Sequence, residues 1–413
     1  MKQKDTFTLY SFLSRLMDNE TVDFIAFAIS HWHALGIDAF VCDLSKTRKR
    51  KLKGVIIILP HPKDGILIDE LDFLCKNFAE VKFCFISSCE EKNILFRGIN
   101  LIKRPFDILI GIKNVKNRKG GREIYILSVM KPNIDCLKIF KDKGIATKYL
   151  PIFFIIDEGI GSYFPKKIWN LVAKLDKQEM SEHFNFIKLI KNGIFYLEEI
   201  VNKFLEKRAL NYISTKNGFL FAPEKDALKP RWSVINLYKK VLKKRKKTLK
   251  DLKNNISIAV ILGQPFTEYG QVLLRNELKL MEDVITILIQ RGLKVIIKPH
   301  PRENSNKYAS ILTNFKQTQV EIIKKNDPAE DFFLEANIKF VIGFTSTSLL
   351  NAAFLYNIPA ISITKLLESE DELLNLSKNE FEKLTKDVKN IFHINSIEEI
   401  EHIMDSKGFK LSR

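Results

Sequence analysis

A chain of 413 residues is long enough for two domains, at ~100–200 residues each, and for cores that need no staples. Apolar residues at 46% and charged residues at 28% exclude a disordered or fibrous chain. The 67 basic against 49 acidic side chains, a net charge of +18, point to anionic company: nucleic acid, a sugar nucleotide, a charged polysaccharide or a membrane surface.

The five cysteines (Cys42, Cys75, Cys84, Cys89 and Cys136) are odd in number and form no C-x-x-C pair, so a zinc site or disulfide framework is not expected and a reducing cytoplasm is the simplest setting. The N-terminus lacks the continuous apolar core of a signal peptide, and no stretch approaches the ~18 apolar residues that span a bilayer. The expectation is a soluble or peripheral protein, cytoplasmic or on the inner membrane face.

Short β-branched runs separated by amphipathic stretches predict strands buried on both faces of a parallel sheet. In the first half these are residues 39–42, 55–59, 81–86, 106–110, 124–127 and 152–156, with helices between them at 66–78 and 134–143. Residues 1–33 show no clear strand-loop-helix opening. After Pro165 the pattern turns helical over 166–175 and 186–207, and the basic stretch 239–250 (KKVLKKRKKTLK) is the candidate interdomain connection. The second half alternates cleanly: strands at 256–262, 294–297, 320–323, 339–342 and 360–363, helices at 272–291, 307–315, 329–336 and 346–356, then a helical stretch over 368–405. The domains expected are an N-terminal α/β domain with a helical extension over 1–250 and a C-terminal doubly wound α/β domain over 251–413.

Four stretches can carry chemistry. FFIIDEGIGSY, residues 153–163, brings Asp157 and Glu158 to the C-terminal end of a buried strand, where ligands bind in open α/β sheets, followed by Gly159 and Gly161. Adjacent carboxylates project differently, so one can face a substrate and accept a proton while the other caps a turn or pairs with a base. KVIIKPHPR, residues 294–302, holds His300 between Pro299 and Pro301, with Lys298 and Arg302 flanking it; such a His can donate to a phosphate or lend a proton to a leaving group. VIGFTSTSLLNA, residues 341–352, ends a strand at Gly343 and runs hydroxyl residues from Thr345 to Ser348 into a helix start, more than one cap requires and suited to a phosphate. ILGQPF, residues 261–266, ends a strand at Gly263, either for close approach to a ligand or for a plain turn.

A second His-Pro at His61 stands without companion motifs and is read as a decoy, and His31 and His33 are read as packing residues. The basic run 46–53 (KTRKRKLK) reads as a solvated face or a charge-only docking surface. No D-x-D, Walker A, dinucleotide G-x-G-x-x-G or G-x-S-x-G motif is present. The basic runs contain almost no aromatics, which argues against a nucleic-acid binder.

Asp157-Glu158-Gly159, His300-Pro301 and Ser346-Thr347, in this order, resemble the motif set of bacterial capsule polysialyltransferases and, more distantly, of lipooligosaccharide sialyltransferases. The resemblance covers roughly 152–363. It implies a GT-B fold, two Rossmann-like doubly wound domains facing across a cleft, with CMP-sialic acid held mainly by the second, and an inverting transfer without metal or other cofactor. It makes Glu158 the general base, with Asp157 as second candidate, has His300 bind and assist the departing CMP phosphate, and has Ser346 and Thr347 hold that phosphate. Gly263, Lys298, Pro301 and Arg302 complete the expected donor site from proximity and charge. The acceptor is expected to be an anionic glycan, oligo- or polysialic acid, or a galactoside capped once; a GT-B transferase using another donor is the alternative. The basic runs would then serve acceptor tracking or contact with an anionic membrane.

Overall fold

The computed structural model describes residues 9–59, 73–85, 94–118, 120–129, 134–157, 159–171, 200–224, 227–248, 256–304, 306–323, 329–335 and 337–409. Glu158, His61 and Cys89 lie outside them, as do most of the helix expected at 66–78, most of that at 186–207 and the end of the basic stretch at 249–250. The chain divides into two compact units, with Ile66–Glu158 and Gln178–Phe219 in the first and Gly159–Lys177 and Leu220–Arg413 in the second. The stretch from 220 to 248, expected in the N-terminal domain, therefore belongs to the second unit. Its basic run is no linker but part of helix Trp232–Thr248, whose Ile235, Tyr238, Val241 and Leu242 form a buried stripe at helical spacing.

The first unit is built on a six-stranded parallel sheet: β1 (Phe24–Ala28), β2 (Leu52–Ile58), β3 (Ala79–Phe85), β4 (Arg122–Val129), β5 (Tyr149–Ile156) and β6 (Ser214–Gly218). Their order is β3-β2-β1-β4-β5-β6, the doubly wound order of a Rossmann sheet. Strand β1 (FIAFA) is buried at every residue, so neither alternation nor helical period marks it, and it is absent from the expected elements. It does open a strand-loop-helix unit: Ser30 caps helix His31–Arg48 by accepting from the His33 N–H. Residues 39–42 lie inside that helix rather than in a strand, because it buries 12 of its 18 residues and shows no polar face there. Residues 106–110 likewise lie in helix Ile94–Lys116, which runs through Pro105. Ile108, Ile112 and Val115 bury at helical spacing, but exposed Phe106 before them and exposed Ile110 among them mimic a continuous strand run.

At the N-terminal ends of β1, β2 and β4 an ionic knot ties the sheet. Asp23 is buried; Arg50 reaches both its oxygens, Arg122 adds a third hydrogen bond, the Lys53 N–H donates at 2.9 Å, and Arg48 stands at 3.6 Å. Burial opposes the charged form, yet hydrogen bonds from Arg50, the Lys53 amide and Arg122 outweigh it and hold this carboxyl below its ordinary value. Two arginines of the basic run 46–53, Arg48 and Arg50, are thereby committed to a buried carboxylate while staying partly exposed themselves.

After Gly159–Lys177 the second unit continues with an antiparallel hairpin, β7 (Phe221–Glu224) and β8 (Ala227–Pro230), and then builds its own parallel sheet. The strands are β9 (Ile258–Leu262), β10 (Lys294–Lys298), β11 (Val320–Ile322), β12 (Ile338–Gly343), β13 (Ala360–Ser362) and β14 (Ile391–His393), in the order β11-β10-β9-β12-β13-β14. This repeats the order of the first sheet. The stretch 368–405 expected as helix contains the short edge strand β14 between helices Glu372–Thr385 and Glu399–Ser406. Central β9 (IAVIL) is buried at every residue, and helix Leu274–Gln290 covers one face with Met281, Val284, Ile285 and Leu288. No helix among the described residues is long and apolar enough to cross a membrane.

Candidate active site

The switch point of a doubly wound sheet lies where successive crossovers leave a central strand in opposite directions, and there the carboxyl ends of strands leave a crevice. In the second unit that strand is β9, flanked by β10 and β12. Lys298 pairs with Leu262 and Ile342 with Ile261, so the three strands end together. At a strand spacing of ~4.8 Å, the loops carrying His300 and Ser346 leave the sheet about 10 Å apart, with Gly263 between them.

The Ser/Thr segment is the better defined of the two. Ser346 is the N-cap of helix Thr347–Asn351, its Oγ accepting from the Ser348 N–H at 3.2 Å. Thr347 Oγ1 accepts from the Ile160 N–H at 2.9 Å. Ser348 Oγ and Asn351 Nδ2 both donate to Glu330 Oε1 at 2.9 Å. Three of the four hydroxyl residues thus have a structural duty, and capping alone accounts for one. Ser346 and Thr347 serve here as acceptors, and a hydroxyl so used still has its O–H to donate.

The Ile160 contact brings the glycine end of the carboxylate-Gly motif onto the Ser/Thr helix. Gly159 has φ +114°, a conformation open to glycine, and a Cβ there would stand 2.5 Å from Thr347 Oγ1. Gly161 turns its carbonyl to Trp169 Nε1 at 3.1 Å. Asp157, directly after β5, is only 1% exposed. A carboxylate so buried is poorly placed to meet an acceptor hydroxyl; Glu158 lies outside the described residues.

In the His-Pro loop, the Arg302 N–H donates to His300 Nδ1 at 3.1 Å. That bond makes Nδ1 the acceptor, so the neutral ring carries its proton on Nε2 and is a donor there. Lys298 is buried and turns its ammonium to the Pro299 carbonyl at 2.7 Å, while exposed Arg302 donates to Tyr269 OH at 2.9 Å. Pro301 is half-buried.

Gly263 has a specific neighbour: a Cβ there would stand 2.3 Å from Glu303 Oε2 and 2.4 Å from Tyr308 OH. The room left by the missing side chain is taken up by this chain's own carboxylate. Glu303, Lys307, Tyr308 and Glu277 were not among the expected site residues; the available signal was the i, i+4 spacing of Glu303 and Lys307 just after the His-Pro motif. Among the described residues no group of three or more His, Cys, Asp and Glu side chains is arranged to hold a metal ion.

The family described as alpha-2,8-polysialyltransferase (POLYST) matches residues 24–365, and the chain belongs to that family. It is a glycosyltransferase of the sialyltransferase kind. No curated protein matches it. Solved structures similar to it include a putative UDP-N-acetylglucosamine 2-epimerase from Listeria monocytogenes, at 12% identity, 94% of this chain and 90% of that chain, TM-score 0.46. Another is the Photobacterium sp. JT-ISH-224 2,6-sialyltransferase in a ternary complex with CMP and lactose, at 12% identity, 90% of this chain and 78% of that chain, TM-score 0.43. A third is the E. coli ADP-heptose lps heptosyltransferase II, at 10% identity, 94% of this chain and 100% of that chain, TM-score 0.40. The two Rossmann-type sheets are the pair of doubly wound domains of a GT-B-like chain.

Proposed function

We propose that the chain transfers sialic acid from CMP-sialic acid to a glycan acceptor with inversion and without a metal, extending (poly)sialic acid chains in capsule synthesis. The observation that carries this reading is the family match over residues 24–365, which takes in all three motifs. The strand ends of the second unit support the donor assignment, since they gather hydroxyl donors and a His with Nε2–H at one edge.

In this reading the acceptor oxygen forms a bond to the anomeric carbon as the bond from that carbon to the CMP phosphate breaks. Glu158 takes the hydroxyl proton. Negative charge grows on the departing phosphate, and preorganised donors aimed at it lower the barrier: His300 through Nε2–H, Ser346 and Thr347 through their O–H groups. Arg302 and Lys298 add positive charge around the loop. The exposed lysines at 46, 49, 51 and 53, with exposed Lys240 and Lys243 of helix Trp232–Thr248, attract a polymer that carries one carboxylate per sugar, or an anionic inner membrane surface.

The test is CMP release from CMP-sialic acid in the presence of EDTA, with oligosialic acid and a galactoside as alternative acceptors. Turnover with oligosialic acid and a product ladder is the expected result. A single addition to the galactoside points to a capping enzyme, turnover lost to EDTA removes the metal-free mechanism, and folded protein that does not bind CMP removes the donor assignment.

A further inference from the structure

The His300 loop rests on a buried charged network that the chemistry above does not use. Glu303 Oε2 accepts the His300 N–H at 2.6 Å, while its Oε1 accepts from Lys307 Nζ at 2.8 Å and from Tyr308 OH at 2.6 Å. Lys307 also contacts Glu277 Oε1 at 2.8 Å and Glu268 Oε2 at 3.2 Å, and donates to the Gln264 carbonyl at 2.9 Å. One ammonium therefore ties the loop after β9, the start of helix Leu274–Gln290 and the loop after β10 together.

Stability alone is a poor reason for such a network. Glu277 and Glu303 are at most 1% exposed, and with Glu268 they bring three carboxylates to one lysine. Buried ion clusters are commonly no more stabilising than apolar residues of the same volume. Burial pushes the Glu303 carboxyl above its ordinary value despite Lys307, Tyr308 and the His300 amide, whereas at Lys307 burial is outweighed by Glu303 and Glu277, which hold its ammonium above the ordinary value. The network is arranged around one output: an acceptor of fixed position under the backbone of His300.

We infer that Glu303 is the positioning residue of His300, and that Gly263 is glycine in order to admit its carboxylate. Oε2 on the His300 amide fixes where the residue leaves the chain, and the Arg302 amide on Nδ1 fixes the ring; together they aim Nε2–H. This inference rests on the reading of His300 as donor to the departing phosphate.

The experiment measures kcat, KM for CMP-sialic acid and melting temperature for Glu303→Ala, Glu303→Gln, Gly263→Ala and His300→Ala, and for Glu303→Ala combined with His300→Ala. Misplacing a catalytic group by about 1 Å costs up to ~10²-fold, so Glu303→Ala should lower kcat by roughly 10–100-fold with little change in KM. Glu303→Gln has one acceptor oxygen where the carboxylate uses two, so its NH2 meets either the His300 N–H or Lys307 and Tyr308; it should recover only part of the loss, and Gly263→Ala should reproduce the loss. In the His300→Ala background Glu303→Ala should cost nothing further, because a residue acting through another has no effect once that other is gone. An equal loss in both backgrounds, or wild-type kcat in Glu303→Ala, overturns the inference. Should Glu303→Ala not fold, a folded Gly263→Ala with unchanged kcat does the same. His300→Ala with unchanged kcat removes instead the leaving-group reading itself, so the two failures are told apart.

Discussion

The amide of Ile160 donates to the hydroxyl of Thr347 across 187 positions of sequence, at 2.9 Å. Through this bond the loop after the two carboxylates is held by the Ser/Thr helix. In the proposed reading Thr347 has two tasks: its oxygen anchors a loop and its O–H is offered to the donor phosphate. Thr347→Ser keeps both and should retain most activity. Thr347→Val keeps the shape and loses both, and a kcat loss of ~10²-fold is expected, since removing one preorganised donor typically costs 10²–10³. Kinetics of the two variants side by side check it.

Gly159→Ala should be among the most damaging small substitutions. A φ of +114° strains any other residue, by roughly 1–3 kcal/mol, and the new methyl would meet the Thr347 side chain. Combining it with Thr347→Ser should not restore activity, because Oγ1 itself is 2.5 Å from the added carbon. Recovery in the double variant would show that only the methyl of Thr347 was in the way.

His300→Ala is expected to lower kcat by ~10²–10³, the usual effect of losing one leaving-group donor. Glu158→Gln should abolish transfer while CMP still binds, which calorimetry can confirm. Full activity in Glu158→Gln moves the general base elsewhere, with Asp157 next in line despite its burial.

The Asp23 knot makes a prediction about acid. Its carboxyl is held below the ordinary value of 3.8, so its contribution to stability is complete above that pH and is lost as the pH falls through the lower folded-state value. Asp23→Asn should lower the stability of the first unit at neutral pH by about 3 kcal/mol, toward the low end for a broken buried pair because Arg50 and Arg122 stay partly hydrated. The gap between wild type and variant should narrow below pH 4 in chemical denaturation. A gap independent of pH would mean that the knot acts by packing.

Binding to liposomes containing anionic lipid should weaken steeply as salt rises from low to physiological concentration, since charge at a membrane surface is screened within ~8–10 Å. Replacing the lysines at 46, 49, 51 and 53 should weaken it; replacing Arg48 or Arg50 should instead destabilise the first unit. Salt-insensitive binding would point to an apolar contact.

The second sheet was legible because its strands are short apolar runs bounded by Gly and Pro, and its helices are amphipathic. Lys294–Lys298, set between Gly292 and Pro299, shows this directly. The first sheet was harder. Strand β1 and helix His31–Arg48 are buried on nearly all sides, and burial without a wet face erases the period that tells helix from strand. His300, Gly159 and Thr347 stood out because prolines, glycines and hydroxyls mark strand ends locally. Glu277 and the arginines around Asp23 did not, since their partners are set by long-range packing: the Arg122 to Asp23 bond spans 99 positions. Glu303 has local partners in His300, Lys307 and Tyr308, but an i, i+4 Glu-Lys pair is common on any helix face and marks no site by itself.

The interruption of the first unit has a consequence for synthesis. Strand β6 pairs with β5 from Ile152 to Ile156, yet it follows the segment Gly159–Lys177 that belongs to the second unit. A chain emerging from the ribosome exposes the open edge of β5 until residues 214–218 arrive, and an unpaired parallel edge invites pairing with another chain. A first unit produced by cutting after Glu158 would carry that edge permanently; one that keeps residues through Phe219 would not.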